Sequence, residues 1–113
     1  MKLKTSELQG AALDWAVAKC EVGEAINEID DPHFYSTDWA LAGPIIEREN
    51  INVFMDDEKW AAYASHSLPQ NFYGTSKDPD WDDGDEGSPL VAAMRCYVAS
   101  VLGDEVEVPD EIL

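Results

Sequence analysis

Positive charge is scarce in this chain: seven Lys and Arg side chains stand against 24 Asp and Glu, for a formal net charge of -17 over 113 residues. Binding to DNA or RNA draws on Lys and Arg to displace counterions from phosphates, so the expectation is no direct nucleic-acid ligand. The same field repels anionic membrane surfaces. Long apolar runs are missing too, since no window approaches the roughly 18 residues of a membrane span. The two lysines of MKLKTSELQG precede no apolar stretch of the kind a secretory signal carries. The chain therefore reads as cytoplasmic. Cysteine is limited to Cys20 and Cys96, each among apolar neighbours in a helical pattern. A thiol there serves as a small hydrophobe rather than as half of a disulfide.

Chemical signatures are absent as well. Neither GxGxxG nor GxxxxGK[ST] occurs, and His33 and His66 belong to no zinc spacing or nucleophile motif. In DPDWDDGDE, Asp78, Asp80 and Asp82 take positions one, three and five of a calcium loop. Asp83 stands where the sharp-turn glycine is needed, and Pro89 where the bidentate glutamate belongs. Carboxylates are so abundant that a pair of them discriminates nothing. The expectation is a protein without catalytic residues, metal or cofactor.

What is present fits one domain spanning 1–113. A helix over about 6–22 is announced by Ser6 and Gln9 in capping-box spacing and ended by Gly23, with Leu8, Ala12, Trp15 and Lys19 on one face. A second, over 89–102, has Ser88 as cap, Pro89 at its first position and Gly103 beyond its end. Its apolar stripe is Leu90, Ala93, Met94, Tyr97, Val98 and Val101. Between them, 51–54 and 59–65 read as a hairpin, with weaker strands at 25–29 and 106–108. The fold class is α+β, two alanine-rich helices packed on each other and on a small antiparallel sheet. Residues 67–87, dense in Pro, Gly, Asn and Asp, read as a long acidic loop.

One segment, STDWALAGPIIER from 36 to 48, combines an aromatic, a glycine-proline break and one of the scarce cations. Ser36 or Thr37 caps a short turn holding Asp38 and Trp39; Gly43 breaks it, and Pro44 starts a second turn running to Arg48. Two readings follow. In one, Trp39, Ile45 and Ile46 plug the core and Arg48 pairs with a carboxylate. In the other, Tyr35 or Trp39 offers a stacking face beside Asp38, Arg48 supplies an anion-pairing fork, and Arg95 reaches the same pocket. Arg95 can also snorkel, with its stem packed.

The stretches KTSELQGAALDWAVAKCEVG, YSTDWALAGPIIERENI and SPLVAAMRCYVASVLGDEVEVPDEIL cover more than half of the chain. They resemble the NinX-like family, small proteins encoded by lambdoid phages and prophages. The chain departs from the family pattern at Leu41, where members usually carry Gln, at Ala42, where they carry Gly, and in the acidic stretch before Ser88. The resemblance implies a phage-encoded protein acting in the bacterial cytoplasm, and it brings no catalytic residues with it. Together with the charge, it points to a noncatalytic accessory protein that binds a host or phage macromolecule, a basic protein above all. Two alternatives stay open: a small-ligand binder that sequesters a nucleotide signal, and an acidic mimic of DNA.

Overall fold

The structure is a computed structural model and describes residues 1–23, 34–56, 59–64, 71–74 and 88–112. Its organising element is helix α3 (Pro89–Leu102). Ser88 Oγ accepts the Val91 N–H at 3.3 Å and Pro89 opens the first turn. Gly103, at φ +90, closes the helix with its N–H on the Ala99 carbonyl at 3.0 Å. Leu90 and every residue from 92 to 99 are buried. Eight consecutive buried residues turn through more than two full turns, so this helix is covered on all sides rather than along one stripe. It is the centre of the core, not one of two equal helices on a sheet.

Helix α1 (Gly10–Val22) packs against α3. It begins four residues later than the capping-box spacing suggests. Thr5–Glu7 forms a separate 3-10 turn, Leu8 is extended, and Gly10 takes the left-handed φ of +56 that redirects the chain. Gln9 precedes the helix without a side-chain cap, so the Ser6–Gln9 box does not form. The buried face is Ala12, Leu13, Ala16 and Val17, rotated from the expected stripe. Trp15 and Lys19 stand at its edge, with the ammonium 5.3 Å above the indole centroid.

The expected hairpin is present as β2 (Ile51–Asp56) and β3 (Lys59–Ala64), antiparallel and in register from Ile51 opposite Ala64 to Asp56 opposite Lys59. A third strand, β4 (Phe72–Tyr73), pairs with β3. This corrects the reading of 67–87 as a loop at residues 71–74, where burial of Phe72 to 1% exposure fixes the chain. A second sheet joins β1 (Lys2–Lys4) to β5 (Glu105–Glu107). Leu3 faces Val106 across it, flanked by the opposite-charge pairs Lys2–Glu107 and Lys4–Glu105. There are thus two small antiparallel sheets among the described residues, where one was expected. The strand expected at 25–29, both histidines and the acidic run 78–86 lie outside the described residues.

The central segment forms one helix, α2 (Trp39–Arg48), instead of two turns broken at Gly43. Pro44 sits at its sixth position and the helix continues through it. The cap is Asp38, whose Oδ1 accepts the Ala40 N–H at 2.9 Å, not Ser36 or Thr37. Ser36 is instead buried, its N–H held by Asp14 Oδ1 of α1 at 2.8 Å. The Phe34 carbonyl accepts from both Thr37 and Asp38, which makes the turn that delivers the chain into α2.

Candidate functional site

Three helices meet at one polar cluster. Arg48, in the last turn of α2, forks onto Glu21 near the end of α1, with Nη2–Oε2 at 2.8 Å and Nη1–Oε1 at 3.3 Å. Its Nε donates to Glu49 at 2.9 Å, and its Nη2 also reaches the Tyr97 hydroxyl of α3 at 3.1 Å. That hydroxyl in turn donates to Glu21 Oε2. The guanidinium carbon lies 5.7 Å from the Tyr97 ring centroid. A bidentate, charge-assisted arrangement of this kind holds geometry as well as charge.

The electrostatics follow from the contacts. The Arg48 hydrogen bond, followed by that from Tyr97, holds the Glu21 carboxyl below its ordinary value. Glu21, then Glu49, hold the Arg48 proton more firmly than usual. Burial, followed by Glu21, raises the Tyr97 hydroxyl. Tyr35 is raised by burial first and then by Glu21. Cys20, half-buried next to Glu21, is pushed up to about 12 by burial, so its thiol stays protonated and unreactive. Cys20 and Cys96 are not joined in a disulfide, in keeping with the sequence expectation.

Arg95 belongs to a different place. It is 1% exposed, its Nε donates to the Leu8 carbonyl at 2.6 Å, and its Nη1 donates to the Tyr73 carbonyl. Two carbonyls left over at the break before α1 and at the end of β4 thereby find a donor inside the core. Burial pushes this guanidinium down to about 10, with Glu7 opposing. Residues two apart on a helix point about 200° away from each other, so Arg95 and Tyr97 leave α3 on opposite sides. Arg48, bound to Tyr97, and Arg95 therefore do not share a pocket.

Trp39 is likewise separate. It lies nine residues from Arg48 on α2, about 13 Å along the axis and roughly half a turn around it. It is 56% exposed, which corrects the core-plug reading for this residue; Ile45 and Ala42 fill that role. Of the five candidates, Arg48 is bound to Glu21, Tyr35 is buried ahead of α2, Asp38 caps α2, and Trp39 and Arg95 stand apart. Glu21, Glu49 and Tyr97 went unmarked in the sequence. Glu21 is one carboxylate among many, and Tyr97 reads as one more member of an apolar stripe. Among the described residues, no group of three or more His, Cys, Asp or Glu is placed to hold a metal ion. No helix among them is long and apolar enough to cross a membrane.

Fold and cluster together define a small α+β protein whose two arginines are built into its framework. The chain belongs to a phage family, the one described as Bacteriophage P22, NinX, whose model matches residues 4–101. That match runs from the end of β1 into the last turn of α3 and takes in the whole three-helix cluster. A comparison with curated proteins gives no match.

Proposed function

We propose that this phage protein is a noncatalytic accessory protein that binds a basic macromolecule of the host or of the phage. The observation that carries this reading is the surplus of acidic charge, together with the use made of the two arginines. Arg48 is bound to two carboxylates and a hydroxyl, and Arg95 is buried on backbone carbonyls. Neither is held out as a free fork for an anion, and with both already counted the net charge is -17, a surplus that acts outward. A field of that sign steers a basic partner into encounter and discourages acidic competitors. The grouping behind a nucleotide pocket draws less support, since Trp39 and Arg95 are directed away from Arg48.

The experiment is a pull-down from host lysate with the immobilised protein, washed at about 50 mM and about 300 mM salt, where screening lengths differ by more than a factor of two. A basic protein retained at the lower salt and released at the higher one is expected. An acidic partner, or one indifferent to salt, speaks against the reading. A thermal-shift screen of nucleotides alongside should stay flat.

A further inference from the structure

Helix α2 has two faces of different fate. Ala42 and Ile45 are buried and Leu41 and Ile46 pack against the core, where the helix meets α3 and β2. The opposite ridge carries Trp39, Ala40, Gly43, Pro44 and Glu47, at the i, i+1, i+4, i+5, i+8 spacing of one helical face. All but the half-buried Gly43 are exposed. Phe34, whose carbonyl holds the Asp38 N–H at 2.9 Å in the turn that leads into the helix, is 56% exposed as well.

An isolated exposed apolar residue is ordinary. An exposed tryptophan with alanine, glycine and proline on one ridge, and an exposed phenylalanine in the turn before it, stand out in a chain with 24 acidic residues. No basic side chain lies on that ridge, and Asp38 and Glu47 bracket it. Among the described residues the Trp39 indole N–H has no acceptor. An exposed aromatic with a polar edge, beside small residues that admit a second backbone, is the composition of an interface anchor.

We propose that this face of α2 is the docking surface for a basic partner protein. Trp39 enters an apolar pocket on the partner with Phe34 beside it, and Lys or Arg side chains at the pocket rim meet Asp38 and Glu47. The occupant follows from charge: a second copy of this chain would bring -17 against -17, and an anionic lipid surface would be repelled likewise. The proposal rests on the reading of this protein as a binder of a basic macromolecule and adds to it the place of contact.

The test places a photo-crosslinking amino acid at position 37, an exposed site at the edge of the ridge, and another at position 55, an exposed site on β2. After irradiation in host cells, the cross-linked protein is identified, purified and titrated against wild type, Trp39→Ala, Phe34→Ser and Glu47→Lys. Expected is a basic protein captured from position 37 and not from 55. Its affinity should fall about 30-fold with Trp39→Ala and several-fold with the other two, and should fall further with salt. Matching melting temperatures of the variants exclude unfolding as the cause. If a salt-sensitive basic partner binds Trp39→Ala and Phe34→Ser as well as wild type, the docking face is overturned while the basic-partner reading stands. An acidic or salt-indifferent partner overturns both. Capture of only a second copy, or of nothing, from position 37 overturns the docking face.

Discussion

Replacing Arg95 with methionine would keep the side-chain stem but strand the Leu8 and Tyr73 carbonyls inside the core. An unsatisfied buried acceptor costs about 1–3 kcal/mol, so Arg95→Met should lower unfolding free energy by about 2–4 kcal/mol in urea titration. Arg95→Lys should not rescue it, because one ammonium cannot reproduce a fork that spans both carbonyls. Arg48 is different: half of its side chain is exposed, and Arg48→Met should cost no more than about 1 kcal/mol. Glu21 gives the pH signature of the same cluster. Its folded-state pKa lies below the ordinary 4.5, so its contribution is complete above that pH and is lost as pH falls through the depressed value. The stability gap between wild type and Glu21→Gln should therefore be full at neutral pH and close on acidification; a gap that widens toward acid would contradict the assignment. That Arg48 pairs with a carboxylate was legible in the sequence, whereas which one, and the carbonyls that Arg95 reaches, were not. Arg95 bonds to residues 22 and 87 positions away, and Arg48 to one 27 away, separations at which a sequence gives no signal.

Elements were legible where their end signals agree with their burial. Ser88, Pro89 and Gly103 mark α3 because cap, first residue and stop are all used as their chemistry suggests. In α2 the local signals pointed the other way. Glycine and proline in sequence argue for a break, yet burial of Ala42 and Ile45 on one face holds the helix continuous across them. Gly43 has an ordinary helical backbone, and beyond its chain neighbours and its own helix a Cβ added there would meet no atom within 4 Å, but the ring of Pro44 crowds a Cβ on the helical residue before it. Gly43→Ala should accordingly leave stability within about 0.5 kcal/mol of wild type, the entropic gain being offset by the clash with Pro44, measured as an unmoved denaturation midpoint. Gly74 is the contrary case. Its N–H bonds the Trp60 carbonyl at 3.0 Å and its own carbonyl accepts from Ser88 at 3.3 Å, tying β3 and β4 to the cap of α3. A Cβ at residue 74 would lie 2.0 Å from the Ser88 carbonyl oxygen, which is backbone and cannot swing aside. Gly74→Ala should destabilise by about 2 kcal/mol or more, the cost of overpacking a fixed site. The same junction explains why β4 was missed: a two-residue strand in a run of turn-forming residues has no periodicity to read, and only the burial of Phe72 defines it.

At the scale of the whole molecule, charge sets two responses in opposite directions. Surplus carboxylates repel one another in the folded state more than in the expanded one, so screening them should favour folding. The main attraction that salt could weaken, Arg48 on Glu21, is short, bidentate and backed by Tyr97, and close pairs of this kind are screened less than distant surface charges. Melting temperature should therefore rise between about 20 mM and about 300 mM sodium chloride, an interval over which the screening length shrinks from roughly 20 Å to roughly 6 Å. Affinity for a basic partner should fall over the same interval, because that attraction acts across the interface and at longer range. One salt series read by calorimetry and by binding thus separates the two effects. A melting temperature that falls with salt would mean that internal ion pairs outweigh the surplus charge in setting stability, and an affinity that does not fall would mean that the surplus charge does not drive recognition.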